Sequence, residues 1–337
     1  MAASSDSRRR TRRAYLGVVV VALVLAAGLS GAWYYLAAQL DLGVTRALAS
    51  AKAHGTDISC PNREVFGYPF RLGLSCASVS IDGDRIKATA GAFHSAAQIY
   101  QPNKVVAELK GPLTLDTPDA PPLDLTWALT QASATFWTQG LDHFALVSDQ
   151  PVVALAEPGA AREPLLEASH SETHARRRGE DLDLAFSLRG AKVVAPGAPD
   201  LPPIDTATDV TIAGAADWLS GRMPQQSARA LMAGRQVTLR SLLVNAGSAS
   251  GELSGTFSFD AKGRVTGDFE VAVDRPDEIA DLVGKAAPQL KSIARSVASA
   301  MPFIGRPRNG KTVIKIAARN GMLSAGIIPL GPLPPLQ

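Results

Sequence analysis

The feature that most constrains this 337-residue chain is an uncharged segment close to its N-terminus. Residues 14–38 carry no charged side chain over 25 consecutive positions. Because a helix rises about 1.5 Å per residue, about 20 apolar residues cross the hydrocarbon core of a bilayer. We therefore predict a transmembrane helix over residues 14–38, preceded by a basic arm over residues 1–13.

The charges that flank this segment predict its orientation. No comparable basic cluster follows the segment, whereas five arginines precede it: Arg8, Arg9, Arg10, Arg12 and Arg13. The positive-inside rule places the basic side in the cytoplasm. We predict a single-pass inner-membrane protein with a cytoplasmic N-terminus and its bulk in the periplasm. The aromatic residues 33–35 would then lie at the membrane interface.

A cleaved export signal is the alternative for the same residues. Residues 11–16 resemble a twin-arginine signal, and residues 30–32 have the small side chains of a cleavage site. However, the apolar run is long for a signal and continues past that site. Residues 41–54 also have the pattern of a helix that continues from the anchor. We therefore favour an anchor that is retained.

The two cysteines of the chain, Cys60 and Cys76, predict a disulfide. Thiols outside the inner membrane are held oxidised, and an even count favours a bridge. Residues 66–69 have the composition of a turn, and residues 70–75 alternate large apolar side chains with other types. The bridge would therefore close a hairpin, and two unrelated buried thiols are the alternative.

The composition is typical of a β-rich globular body and gives no support to a nucleic-acid partner. Hydrophobic residues make up 46% of the chain, aromatic residues 6% and charged residues 19%. The formal net charge is +3, but the arm over 1–13 alone carries +4, so the remainder carries −1. A nucleic-acid interface needs a basic face with interleaved aromatic residues. We predict no nucleic-acid partner.

Alternating apolar and polar residues predict several antiparallel hairpins. The turn of the first hairpin is predicted at the arginine-rich residues 176–180. The paired segments are 165–174 with 182–189, 253–259 with 265–273, and 313–317 with 322–328. We predict an α+β fold that is mainly antiparallel β, with a large curved sheet or sandwich and one long amphipathic helix packed on it.

That amphipathic helix is predicted over residues 277–301, where apolar side chains recur at steps of three and four. The proline-rich residues 196–203 predict a loop. The loop divides the periplasmic part into an N-terminal β-rich lobe over 39–200 and a C-terminal one over 201–337. One sheet that continues through the loop is the alternative.

The sequence contains no complete catalytic motif among those compared below. The chain has no P-loop, no Rossmann fingerprint and no H-E-x-x-H motif, and residues 247–251 have alanine where a G-x-S-x-G motif needs serine. Only His170, Glu172 and His174 share one side of a predicted strand, which makes them weak candidates for a metal site. The same spacing describes the solvated face of an ordinary strand. We predict no cofactor and no enzymatic activity.

Four short stretches of the sequence resemble one known family. They are Gly67-Tyr68-Pro69-Phe70-Arg71-Leu72, Tyr100-Gln101-Pro102-Asn103, Glu108-Leu109-Lys110-Gly111-Pro112, and the proline-rich ending over residues 326–335. This pattern resembles the uncharacterised bacterial family named domain of unknown function 2125. The resemblance implies an anchored envelope protein and carries no established activity. A looser architectural likeness is to AsmA-type envelope proteins, which are implicated in lipid handling.

These observations lead to two functional hypotheses. The first is a module that binds or transfers a lipid or another apolar component of the cell envelope. The second is a structural or assembly partner that pairs with another envelope protein through an exposed sheet edge. The residues predicted to line an apolar ligand, for which a plain core role is the alternative, are Phe257, Phe259, Phe269, Val271, Val273, Leu282, Leu290 and Ile293.

Overall fold

The structure, a computed structural model, describes residues 4–118, 120–138, 140–156, 162–220 and 227–336. The fold is mainly antiparallel β, with 52% of residues in strands and 26% in helices. The predicted fold class is therefore confirmed. A large open sheet forms the body, and a long apolar helix precedes it.

Four α-helices are described: α1 (Ser4–Ala53), α2 (Ala228–Met232), α3 (Pro276–Ala286) and α4 (Lys291–Ile304). The first helix contains the predicted membrane segment and continues beyond it, as the pattern of residues 41–54 predicts. Its stretch Arg12–Ala53 is long and apolar enough to span a membrane. Short 3₁₀ turns lie at Ala216–Ser220 and Pro288–Leu290.

The strands follow one another with short connections, as expected for a meander of antiparallel hairpins. Their bounds are β1 (Thr56–Ser59), β2 (Glu64–Phe66), β3 (Arg71–Cys76), β4 (Val79–Gly83), β5 (Ile86–Ala90), β6 (Phe93–Gln98), β7 (Gln101–Leu109), β8 (Leu113–Thr117), β9 (Ala120–Thr126), β10 (Leu129–Trp137), β11 (Gly140–Asp149), β12 (Val152–Leu155), β13 (Glu163–Glu167), β14 (His170–Arg178), β15 (Asp181–Val193), β16 (Ile204–Ile212), β17 (Gln236–Ala246), β18 (Ala249–Phe259), β19 (Val265–Val273), β20 (Arg306–Arg308), β21 (Lys311–Arg319), β22 (Met322–Ala325) and β23 (Ile328–Pro332).

The sheet has two limbs, in which every described strand pair is antiparallel. In the first limb the hydrogen-bonded order is β1-β4-β5-β8-β9-β12-β13. In the second it is β2-β3-β6-β7-β10-β11-β14-β15-β16-β17-β18-β19-β21-β22-β23, with β20 beside β21. The long strand β15 belongs to both limbs, because its end also pairs with β13.

The chain passes from one limb to the other at a shared corner. Backbone hydrogen bonds continue the strand pairing there. The Gly91 amide donates to the backbone carbonyl of Lys110 at 2.9 Å, and the Ala128 amide donates to that of Asp149 at 2.9 Å. Gln150 has φ +50° and Gly190 has φ +60° at this level. Such irregular residues bend a strand without ending its pairing. Consecutive short strands of the two limbs are thus halves of longer, bent strands.

The strands of the second limb have one end at this corner, and we call their opposite end the tip end. Its hairpin turns include those that follow Phe66, Gln98, Trp137 and Arg178 in the chain. In the predicted first hairpin, the turn is wrongly placed by the sequence pattern: residues 176–178 belong to β14, and only Gly179 and Glu180 connect it to β15. The glycine, with φ +64°, supplies the left-handed residue of this two-residue turn.

The register of the second limb separates an apolar face from a polar face. One continuous row of directly opposed residues crosses twelve strands and defines the apolar face: Leu74, Ser95, Ala107, Ala132, Leu146, Thr173, Phe186, Thr208, Leu242, Leu253, Val271 and Ile314. The adjacent row on the polar face includes His94, Glu108, Gln131, Glu172 and Glu252.

The best-packed core lies where α3 and α4 cover the C-terminal end of the apolar face. Met301 and Ile314 are each 2% exposed there, and Ala318 is 0% exposed. The prediction of one helix over 277–301 is corrected, because α3 and α4 are separated by the 3₁₀ turn at Pro288–Leu290. A proline lacks the backbone donor and disfavours helical geometry in the residue before it, so the first helix ends at Ala286.

The loop over residues 196–203 does not interrupt the sheet. Strand β15 precedes the loop and β16 follows it, and the two pair from Leu182 with Ile212 to Ala191 with Ile204. The two predicted lobes, 39–200 and 201–337, therefore share one sheet. The loop returns the chain to the neighbouring position in the same sheet.

Candidate functional site

Two neighbouring cavities, of about 230 Å³ and about 280 Å³, lie between the apolar face and the helices α3 and α4. The first opens beside α3, and the second extends under α4. Both cavities share five lining residues: Leu253, Val271, Val273, Ile279 and Val283. The two therefore form one continuous apolar site, which we call the helix-side cavity.

Side chains that alternate along three neighbouring strands form the floor of this cavity. Leu242, Leu253 and Val271 are directly opposed on β17, β18 and β19, so their side chains point to the same face. On α3, apolar residues at Ile279, Leu282, Val283 and Ala286 recur at helical spacing and line the opposite wall.

Part of the lining of the cavity is less buried than the rest. Leu242, Val244, Leu253 and Leu282 are all half-buried, whereas Val273, which also lines the cavity, is 4% exposed. An aliphatic side chain that keeps contact with water forgoes part of its transfer free energy, about 25 cal/mol per Å² of apolar area. The half-buried walls make a surface that an apolar ligand could cover.

The cavity contains almost no charge. Among the lining residues that the structure describes, only Glu252 is ionisable, and its carboxylate lies 3.9 Å from the Lys311 ammonium. The register places Glu252 in the row of the polar face. The arrangement can therefore exclude water from an aliphatic chain, and its lining presents no pair of groups suited to acid–base chemistry.

The structure separates the eight predicted lining residues into two groups. Five of them line the helix-side cavity: Val271, Val273, Leu282, Leu290 and Ile293. The other three, Phe257, Phe259 and Phe269, pack against the core cluster, with ring centroids 5.5 Å apart between Phe257 and Phe259 and 5.2 Å between Phe257 and Phe269. For these phenylalanines, the geometry corresponds to the plain core alternative.

The sequence pattern does not predict several of the lining residues, among them Leu201, Ile204, Leu242 and Val244. Strand β17 does alternate, but its register shifts between Leu239 and Leu242. A bulge of this kind adds residues to one strand and interrupts the period of two. The alternation of apolar and polar residues is therefore visible on either side of the bulge but does not continue across it.

A third cavity, of about 450 Å³, lies on the polar face over β6, β7, β10 and β11. Small side chains form its floor, and His94, Glu108 and Gln131 stand around it. An aliphatic ligand would remove water from these polar groups, which is costly without replacement hydrogen bonds. The helix-side cavity is therefore the better candidate for an apolar ligand.

The weak metal candidates form a chain of hydrogen bonds on the polar face. The His170 Nε2 lies 2.8 Å from one oxygen of Glu172, and the His174 Nε2 lies 3.4 Å from the other. The His170 Nδ1 contacts Asp149 at 2.6 Å. Hydrogen bonds to Glu172 and Asp149 raise the pKa of His170 above its ordinary value. Among the residues described, no cluster of three potential ligands could hold a metal ion.

A second polar cluster surrounds Asp183, whose residue is 7% exposed. Burial by itself raises the pKa of this carboxyl, but hydrogen bonds from Thr211 and Arg176 and the charges of Arg178 and Arg240 outweigh it, so the pKa lies below the ordinary value. The arginines of the predicted turn thus neutralise a buried carboxylate within the sheet, which is a structural role.

Comparison with known families assigns the chain to one group. Residues 33–334 match the family profile described as "Uncharacterized protein conserved in bacteria (DUF2125)". The match extends from the end of the uncharged segment almost to the C-terminus. No curated protein matches the chain.

Proposed function

The chain belongs to the DUF2125 family of uncharacterised bacterial proteins, and we propose that it is a membrane-anchored periplasmic protein that binds an apolar envelope component, such as a lipid acyl chain. Helix α1 would anchor the protein in the inner membrane. The sheet would stand in the periplasm and hold the ligand in the helix-side cavity. The proposed activity is binding or transfer, without chemical conversion of the ligand.

Two features support the proposed location. The arginines before the uncharged segment favour a cytoplasmic N-terminus by the positive-inside rule. In addition, Cys60 and Cys76 are joined in a disulfide. Such bridges persist in the periplasm and are rare in the bacterial cytoplasm. Both features favour the same orientation, although they lie on opposite sides of the uncharged segment.

The topology predicts a clear result for fusions at the C-terminus. Alkaline phosphatase fused after Gln337 should be active, because it folds only where its disulfides form, whereas β-galactosidase at the same position should be inactive. Intact-mass measurement of the membrane-purified protein should show that residues 14–38 are retained. Active β-galactosidase would contradict the orientation, and a mature N-terminus at Trp33 would contradict the anchor.

The single observation that carries the ligand proposal is the helix-side cavity. Its lining is aliphatic, its walls at Leu242, Leu253 and Leu282 are half-buried, and Glu252 is the one ionisable lining residue among those described. A lipid chain would complete the burial of these side chains with a favourable transfer free energy.

Two adjacent leucines provide a matched test of this proposal. Leu242 lines the cavity, whereas Leu243 points to the polar face and is 37% exposed. The full chain in native membranes would be photolabelled with a diazirine-bearing long-chain fatty acid, and adducts would be mapped to peptides by mass spectrometry. We expect adducts on β17–β19 and α3. Leu242→Glu should reduce their yield at least about tenfold, since a carboxylate in an apolar site opposes binding, and Leu243→Glu should leave it unchanged.

Both variants must first retain the disulfide and the wild-type circular dichroism, which ensures that the sheet is folded. If the wild type gives no adducts at the helix-side cavity, the ligand proposal is wrong. It is equally wrong if Leu242→Glu and Leu243→Glu give the same yield as the wild type. Adducts confined to α1 would indicate contact with bilayer lipid alone.

The alternative of assembly through a free sheet edge has less support. The edge formed by β1 and β2 lies beside α1, where Arg63 forms an ion pair of 2.8 Å with Asp41. The opposite edge includes two short strands, β20 of three residues with Pro307 and β23 of five residues with Pro329 and Pro332. Covered edges and short, proline-containing edges are poor templates for another strand.

A further inference from the structure

Helix α1 lies along the first edge of the sheet and contacts it at three levels. Near the end of the helix, the Lys52 ammonium pairs with Asp57 at 2.7 Å. At the second level, nearer the N-terminus of the helix, Arg63 donates a hydrogen bond to the Thr45 hydroxyl at 2.8 Å. The contacts therefore progress toward the helix N-terminus as the chain advances from β1 to β2.

The third level lies at the tip of the β2–β3 hairpin. The Trp33 indole donates to the carbonyl oxygen of Arg71 at 2.6 Å, and the hydroxyls of Ser30 and Tyr68 are 2.8 Å apart. Trp33 is 7% exposed and its ring meets that of Tyr68 edge to face, with centroids 5.5 Å apart. The tip is thus packed against the helix near the C-terminal end of its uncharged segment.

These contacts orient the strands relative to the membrane. From Lys52 to Ser30 the helix rises about 33 Å, at about 1.5 Å per residue. Over the same length of helix, the chain from β1 through β2 to the tip of the β2–β3 hairpin runs antiparallel to α1. The strands of the second limb therefore lie roughly along the helix axis, and their tip end points toward the bilayer that α1 would span.

The tip end carries a group of exposed aromatic side chains. Tyr68 is 54% exposed, Phe70 60%, Tyr100 75%, Phe136 44% and Trp137 69%. They belong to three neighbouring hairpin tips, because β3 pairs with β6, β7 pairs with β10, and the Ile99 amide donates to the Phe70 carbonyl at 3.1 Å.

Exposed aromatic residues are rare elsewhere on the sheet and its helices. After α1, the described part of the chain has only two other aromatic residues among its exposed large hydrophobic side chains, Phe186 and Phe303. Tyrosine and tryptophan favour the membrane interface, where an apolar ring and a polar group are both accommodated. The concentration at the tip end therefore has a physical explanation if these rings meet a bilayer.

We propose that the tips of the β2–β3, β6–β7 and β10–β11 hairpins form a membrane-contact surface in the interfacial region of the bilayer that α1 spans. This proposal rests on the anchoring role of α1 and is independent of ligand binding in the helix-side cavity. The partner is the lipid surface itself. The surface would hold the sheet upright on the membrane, with the apolar face beginning at Leu72 and Leu74 next to the lipid.

Nitroxide labels on the full chain in nanodiscs of phosphatidylethanolamine and phosphatidylglycerol test this proposal. Only an introduced cysteine reacts, because both native cysteines are bridged. Tyr100→Cys and Trp137→Cys report on the tips, Val20→Cys reports on the anchor, and Asp84→Cys is the control. Asp84 is exposed in the β4–β5 turn, whose neighbour Gly83 pairs with Thr56 near the far end of α1.

The measured quantity is the ratio of label accessibility to oxygen over accessibility to a water-soluble nickel chelate. We expect a several-fold higher ratio at positions 100 and 137 than at position 84, with the highest ratio at position 20. If positions 100 and 137 match position 84 while position 20 reports lipid, the membrane-contact surface does not exist although the anchor does. If position 20 also reports water, both the anchor and the contact surface are wrong.

Discussion

Replacement of Cys60 by serine is expected to lower the free energy of unfolding of the folded body by about 2–5 kcal/mol. The bridge to Cys76 spans 16 positions of sequence and ties the start of the β2–β3 hairpin to its returning strand. Without it, the unfolded chain gains the conformational freedom of the closed loop. Urea denaturation of the full chain in detergent, followed by circular dichroism, would measure the change.

The same bridge allows an internal comparison. Cys76 is 3% exposed, whereas Cys60 is half-buried. Cys76→Ser should therefore be the more damaging variant, because it also buries a hydroxyl, at a cost of about 1–3 kcal/mol if the hydroxyl is unpaired. Addition of a reductant should destabilise the wild type and leave both variants unchanged. Equal stability of the wild type and Cys60→Ser would show that the bridge contributes nothing.

Replacement of Met301 by alanine is expected to have a comparable effect, about 2–5 kcal/mol. Met301 is a residue of α4 and is 2% exposed. Its side chain faces the strands, where it contributes to both the core cluster and the helix-side cavity. Its truncation removes apolar contacts and enlarges the cavity. The free energy of unfolding from urea denaturation is again the measurement.

Phe303 is the matched control for this change. It lies two residues further along α4 and is 84% exposed. Phe303→Ala should alter stability by no more than about 0.5 kcal/mol, as is usual for surface substitutions. If the two variants are equally stable, α4 does not pack on the sheet in the way described, and the helix-side cavity loses one of its walls.

The hairpins at the C-terminal end show which structural signals are local. The sequence pattern predicts that 253–259 pairs with 265–273, and the strands β18 and β19 confirm it. The alternation of polar and apolar residues and the turn chemistry both act within a few residues, so they are visible in the sequence. The likeness to AsmA-type proteins, in contrast, stays a prediction.

The missed features depend on irregular backbone. The corner residues near Gln150 and Gly190 bend the strands, and the bulge in β17 shifts the register near Leu239. Each interrupts a period-two pattern, so one bent strand looks like two short strands in the sequence. The break at Pro288 was visible as a residue type, but the apolar spacing continues across it and predicted one helix.

The sequence by itself determined the elements whose signals are local: the long apolar helix, the disulfide between Cys60 and Cys76, and the antiparallel strands. Only the tertiary structure decided which apolar residues became core and which became cavity wall. Phe269 and Val271 alternate identically on β19, yet the first is packed among other rings and the second lines the cavity. The reason is that burial depends on what covers a face, and the cover over β19 comes from helices that follow it in the chain. The contact of Trp33 with Arg71 was likewise decided by packing between distant segments.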